Sequence, residues 1–151
     1  MKNCSEPKTN NPSIHSITSS LRADFAIITF NEHLGNKKED LKIPHNVNPI
    51  WVGDQTTIKE FYIEGNPVFG HAYLQIMVYE VHFPGHKVLI NGTELPFYDL
   101  PPCKGQWLNS IAPIGVELRK NSINTIQIIR NPVHQDNFII GHVVVHWREI
   151  C

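Results

Sequence analysis

Nine histidines in 151 residues are the first feature with chemical potential. Neutral imidazole is a common metal ligand, and its ordinary pKa lies close to neutrality. His82 and His86 flank Phe83-Pro84-Gly85, a turn sequence able to fold two imidazoles together. With His71 or His134 as a third nitrogen they would make a site for a divalent metal ion. His142 and His146 stand four apart on an alternating stretch. They share one strand face but lie about 13 Å apart, too far to hold one ion without a third element bending in. They read as polar residues on a wetter sheet face.

Oxygen chemistry gathers elsewhere. His134-Gln135-Asp136-Asn137 follows Asn131-Pro132, so it falls in a loop, where sites tend to be carried. Asp136 and Asn137 could accept from sugar hydroxyls or bind calcium through oxygen; the alternative is that one of them caps the turn before the next strand. Two aromatics stand beside carboxylates: Trp51 near Asp54, and Tyr98 next to Asp99. An aromatic ring can stack on the apolar C–H face of a pyranose while carboxylates read its hydroxyls. The candidate ligand-binding set is therefore Trp51, Asp54, Tyr98, Asp99, His134, Asp136 and Asn137. Trp147 alternates with Val143 and Val145 and is expected in the core. Trp107 precedes an apolar strand and is also expected to be structural.

Catalytic signals are weak. Cys103 lies in Pro-Pro-Cys-Lys-Gly, where Lys104 could depress the thiol pKa, but no histidine partner is evident. There is no Gly-x-Ser-x-Gly, phosphate loop or dinucleotide fingerprint, and no carboxylate pair can be assigned. No catalytic residue is named, and a non-catalytic role is the leading expectation.

The elements that must position these residues are strands. Leu21–Phe30 has apolar residues on both faces and is expected to be well covered. Ile50–Val52 and Ile58–Ile63 follow a polar, turn-rich stretch over 31–49 in which no structured element is expected. Ala72–His82 is the clearest central strand. Leu74, Ile76 and Val78 point one way; Tyr73, Gln75, Met77 and Tyr79 point the other. His86–Ile90 runs into Asn91-Gly92, which supplies the positive φ angles of a tight hairpin. Further strands are expected from Gln106 to about Leu118, over Asn124–Arg130 and over Phe138–Trp147. Turn residues punctuate the chain about every ten positions, the spacing of an all-β sandwich or barrel.

Bulk properties narrow the class. Hydrophobic residues are 41% and charged residues 18%, and the net charge is −1. That composition is globular, with no basic excess for nucleic acid and no run of ~20 apolar residues for a membrane span. Residues 1–20 read as a flexible N-terminal tail and 21–151 as one domain. The three cysteines are widely spaced, and the N-terminus lacks an apolar signal-peptide centre. Both point to the cytoplasm.

From about Ile58 to Trp147 the chain resembles the galactose-binding-like jelly roll. Ala72-Tyr73-Leu74-Gln75-Ile76 looks like that family's A-x-L-x-I strand. Val88-Leu89-Ile90-Asn91-Gly92 looks like its Asn-Gly hairpin, and Leu118–Ile128 like its Lys-x-Gly-x-Asn-x-Ile-x-Ile turn and strand. One departure stands out: the turn glycine is replaced and the turn is one residue longer, with Asn121 able to take the left-handed conformation. The resemblance implies an all-β fold, a single antiparallel β-sandwich of jelly-roll type. It also makes a non-catalytic carbohydrate-binding module the leading function, with no cofactor. A cupin-like metal enzyme using His82, His86 and His71 is the alternative, although the cupin His-x-His with a nearby Glu is missing. A third reading is an interaction protein, a homo-oligomer among the options, using the face of Tyr73, Gln75, Met77 and Tyr79.

Overall fold

The computed structural model describes residues 20–150. Apart from Ser20, the expected N-terminal tail lies outside the described residues. Among these, nine strands form two sheets and no α-helix occurs. The strands are β1 (Leu21–Leu34), β2 (Ile50–Gly53), β3 (Lys59–Ile63), β4 (Tyr73–Tyr79) and β5 (Lys87–Ile90). They continue with β6 (Thr93–Glu94), β7 (Trp107–Pro113), β8 (Ser122–Ile129) and β9 (Phe138–Ile150). One sheet has the order β2-β1-β9-β4-β7, and the other β3-β8-β5-β6. All pairings are antiparallel except β1 with β2, which is parallel. The fold is thus the β-sandwich that the strand spacing implied, with β3, β4 and β5 crossing between sheets in turn, as do β7, β8 and β9.

Period-two alternation builds the core. Leu74, Ile76 and Val78 of β4 are fully buried, as are Ile126 and Ile128 of β8 and Val143 and Val145 of β9. They pack with Ile28, Phe30, Phe61, Val88 and Trp147 between the sheets. Burying each such aliphatic side chain contributes roughly 1.5–3 kcal/mol before the cost of chain ordering. Trp147 is in the core, as its alternation predicted. Asn91 and Gly92 both have positive φ, and Leu89–Ile90 pairs with Thr93–Glu94 across them. Asn121 takes the left-handed conformation that replaces the missing turn glycine.

Three expectations need correction. β1 is covered on one face only: Ile28 and Phe30 are buried, whereas Phe25 and Ile27 are 57% and 65% exposed. β1 also runs four residues past Phe30, to Leu34, because β9 supplies hydrogen-bonding partners as far as Leu34↔Phe138. Pairing, not apolar patterning, extends it through Asn31-Glu32-His33. Finally, the stretch over 31–49 is not featureless. A 3₁₀ turn forms at Lys38–Asp40, and Leu41 just after it is buried.

Candidate functional site

One end of the sandwich gathers the loops that follow β1, β4 and β8 and precede β5, β7 and β9. β4 stops at Tyr79 because Glu80 adopts φ 66°, a conformation that ends strand pairing. The chain then turns through His82-Phe83-Pro84-Gly85, and Asp136 anchors this turn from the facing loop. Its carboxylate accepts from the backbone N–H groups of His82 (3.1 Å) and Phe83 (3.0 Å), and from His86 Nε2 (2.9 Å). His86 Nδ1 accepts from the Asn131 backbone N–H at 3.1 Å, which fixes the proton on Nε2, facing Asp136. Burial pushes the Asp136 pKa up, but hydrogen bonds from His86 and from the Phe83 and His82 backbone outweigh it. They hold Asp136 below the usual carboxylate range.

Arg130 is the second anchor, although its place in the sequence marks only the end of a strand. Its side chain is 1% exposed. The guanidinium donates to Asp54 (3.0 Å from Nε), to Asn36 Oδ1 (2.5 Å), and to the carbonyls of His134 (3.0 Å) and Asp136 (3.2 Å). Five donations from one rigid fork, two of them to Asp54, tie the segments after β1, β2 and β8 together. No local motif announces this role, because its partners lie up to 94 positions away.

Around these anchors lies a polar cleft of about 520 Å³, lined by Asp40, Lys42, Tyr79, Glu80, His82, Gln135, Asp136 and Asn137 among others. Glu80 bonds His82 Nε2 (2.6 Å) and accepts from the Gly105 N–H. Asn137 Oδ1 is buried without a partner, as are both ring nitrogens of His33 nearby. Both groups crowd the position where Gly35 has no side chain. The His33 pKa is lowered by burial, so the ring is held neutral; Asp40 opposes this in part.

Tyr79 also belongs to a second feature. Its ring lies 5.2 Å from that of Trp107, tilted by 43°. Trp107 is half-buried on the open face of the five-stranded sheet, beside Met77, Gly141 and His142 in a groove of about 530 Å³. Gly141 makes room for this: a Cβ there would stand 3.2 Å from the indole and 3.4 Å from the Met77 sulfur. The cleft and the groove therefore meet at an aromatic pair. Trp107, expected to be structural from its position before an apolar strand, stands outside the core cluster, on the open sheet face.

The candidate residues divide clearly. Asp54 is bound to Arg130, and Asp99 caps a turn by accepting from the His86 and Leu100 backbone N–H groups. Asp136 acts as the loop anchor, which favours the cap alternative over direct ligand reading. Tyr98 bonds Ser110 at 2.7 Å, and burial raises its pKa. Trp51 is 43% exposed on the edge strand β2, with its indole N–H on the Gly35 carbonyl, and it does not line the cleft. His134 stacks on Phe83. Of the seven, Asp136 and Asn137 line the cleft, and the unpartnered Oδ1 of Asn137 is buried toward Gly35.

The histidine cluster does not assemble. His86 uses both ring nitrogens, and His82 turns outward to Glu80. His71 precedes β4 and the other two follow it, a separation of about 20 Å along a seven-residue strand. Among the described residues no group of three His, Cys, Asp or Glu side chains is placed to hold a metal. The donor set does not fit a cupin-like centre. Cys103 is corrected too: it is buried against the Val81 N–H, and burial pushes its thiol pKa up, the opposite of the effect expected from Lys104.

Fold and site together define a β-sandwich with an open aromatic face that runs into a polar end cleft. The chain belongs to a family of unknown function, DUF7383, whose model matches residues 22–149. No curated protein matches its sequence. Among solved structures it is similar to dimeric latent PorU from Porphyromonas gingivalis, at 8% identity and a TM-score of 0.46. It is also similar to the Podospora anserina GH26-CBM35 β-(1,4)-mannanase, at 12% identity and a TM-score of 0.43. The alignments cover 97% and 85% of this chain but only 14% and 28% of those proteins. No helix among the described residues is long and apolar enough to cross a membrane.

Proposed function

We propose that this domain is a non-catalytic binding module and that its ligand is a carbohydrate. The observation that carries this reading is the junction of the Tyr79–Trp107 pair with the polar cleft. A pyranose stacked on the indole would reach Glu80 and Gln135 with its hydroxyls, and recognition sites combine an apolar platform with a few placed polar groups in this way. The module would act in the cytoplasm, in keeping with its widely spaced cysteines. Glycan-array screening followed by titration calorimetry tests the proposal. A hit whose affinity falls about tenfold or more in Trp107→Ala, with the melting transition unchanged, supports it; a tenfold loss corresponds to about 1.4 kcal/mol. A panel of neutral, acidic and amino sugars that all fail to bind removes it.

A second reading is favoured by one feature. Phe25, Ile27, Tyr73 and Ile111 are exposed on the five-stranded sheet. Such a face suits a protein partner, including a second copy. Sedimentation that shows a stable oligomer, disrupted by Ile27→Glu, in a protein that binds no sugar would favour this reading over the first.

A further inference from the structure

The opposite end of the sandwich carries a separate, preformed cavity. The loop between β3 and β4 faces the loop between β7 and β8, and main-chain and Asn side-chain bonds fix both. Gly65 N–H donates to Asn121 Oδ1 (2.8 Å), Ile114 N–H to the Ala72 carbonyl (2.9 Å), and Val68 N–H to the Arg148 carbonyl (2.7 Å). The fully buried Asn124 holds Arg119 from both sides, accepting from its N–H at 2.8 Å and donating to its carbonyl at 2.9 Å. The cavity between the loops measures about 300 Å³. Because its walls are already bonded together, a ligand would not have to order them.

Its chemistry is amphipathic. Ala72, Ile114 and Leu118 are buried in its apolar lining, and Phe69 stands 69% exposed beside them. At the rim are Arg119 and Lys120, both exposed, against one acidic residue, Glu117. A second recess of about 420 Å³ adjoins the cavity and shares Val116, Glu117 and Arg119 with it. The size corresponds to about ten water volumes, and so to about ten non-hydrogen atoms.

We propose that this cavity is a binding site for a small amphipathic carboxylate, with the apolar tail on Ile114 and Leu118 and the carboxylate at Arg119 and Lys120. Octanoate has the right size and charge distribution and serves as the probe. The site is independent of the carbohydrate reading, since it lies at the other end of β4 and shares no residue with the cleft.

Titration calorimetry on the full chain tests the proposal, with octanoate, 1-octanol and acetate as titrants. The expected result is one octanoate per chain, at least tenfold weaker 1-octanol binding, and no acetate binding. Charge reversal in Arg119→Glu/Lys120→Glu should weaken octanoate about tenfold or more and leave 1-octanol unchanged. Phe69→Ala, at an exposed position that does not threaten folding, should weaken both titrants. Absence of octanoate binding overturns the proposal, as does acetate binding as tight as octanoate, or octanoate affinity indifferent to the charge reversal. Trp107→Ala should leave octanoate binding intact; loss there would place octanoate in the other site and overturn this assignment.

Discussion

His33 is buried with both ring nitrogens unpartnered, so it contributes desolvation cost without hydrogen bonds to offset it. His33→Leu is expected to raise stability by about 1 kcal/mol, since an apolar side chain of similar size removes the unsatisfied atoms. Urea denaturation at pH 7 checks this, and a loss of stability would mean that the imidazole has a partner worth keeping. Asp136 and Arg130 behave in the opposite way, because both are saturated. Asp136→Asn removes charge-assisted bonds to the His82–His86 turn and should cost about 2–3 kcal/mol at pH 7. The folded-state pKa of Asp136 is depressed, so its contribution is complete above the unfolded value of about 4 and fades as pH falls below it. The gap between variant and wild type should therefore close at acid pH. Arg130→Met leaves two carbonyls and Asn36 without their donor and should cost about 3 kcal/mol.

Elements add a constraint that no single residue carries. β4 lies between β9 and β7, and Gly141 on β9 is what lets the Trp107 ring reach across β4 from β7. Gly141→Ala should keep the fold, since this glycine is not among those with positive φ. It should shift the indole by a few tenths of an ångström, changing the near-ultraviolet circular dichroism in a way that Trp107→Phe abolishes. Sugar binding, if it uses the platform, should weaken in the same variant. The strands themselves were readable: Leu74-x-Ile-x-Val and Ile126-x-Ile show their buried faces by alternation alone. The extension of β1 through Asn31-Glu32-His33 was not, because polar residues there are held by pairing with β9 rather than by their own pattern.

At the scale of the molecule, stability should fall in two stages on acidification. The pKa values of His33 and His146 are lowered by burial, so the unfolded chain binds more protons than the folded one as pH drops below about 6.5. Melting temperature should therefore decline from pH 7 to 5, less steeply in His33→Leu, and decline again below about pH 4 as Asp136 protonates. A flat profile from pH 8 to 5 would contradict the first stage. The sequence by itself determined the class of fold, the core faces of the central strands, the Asn91-Gly92 hairpin and the left-handed turn at Asn121. All of these follow from period-two patterning and local backbone preference. Tertiary structure alone decided which polar residues are spent on architecture. Asp54, Asp99 and Asp136 looked like ligand readers because their types suit that work, yet both oxygens of Asp99 and Asp136 are taken up by backbone N–H groups and His86, and Asp54 gives one oxygen to Arg130. The same long-range pairing separated His71 from His82 and His86 along β4, and it left Trp107 facing the groove. Hydrogen bonding across tens of positions leaves no periodic trace in a sequence, so that part of the site appears only once the chain is folded.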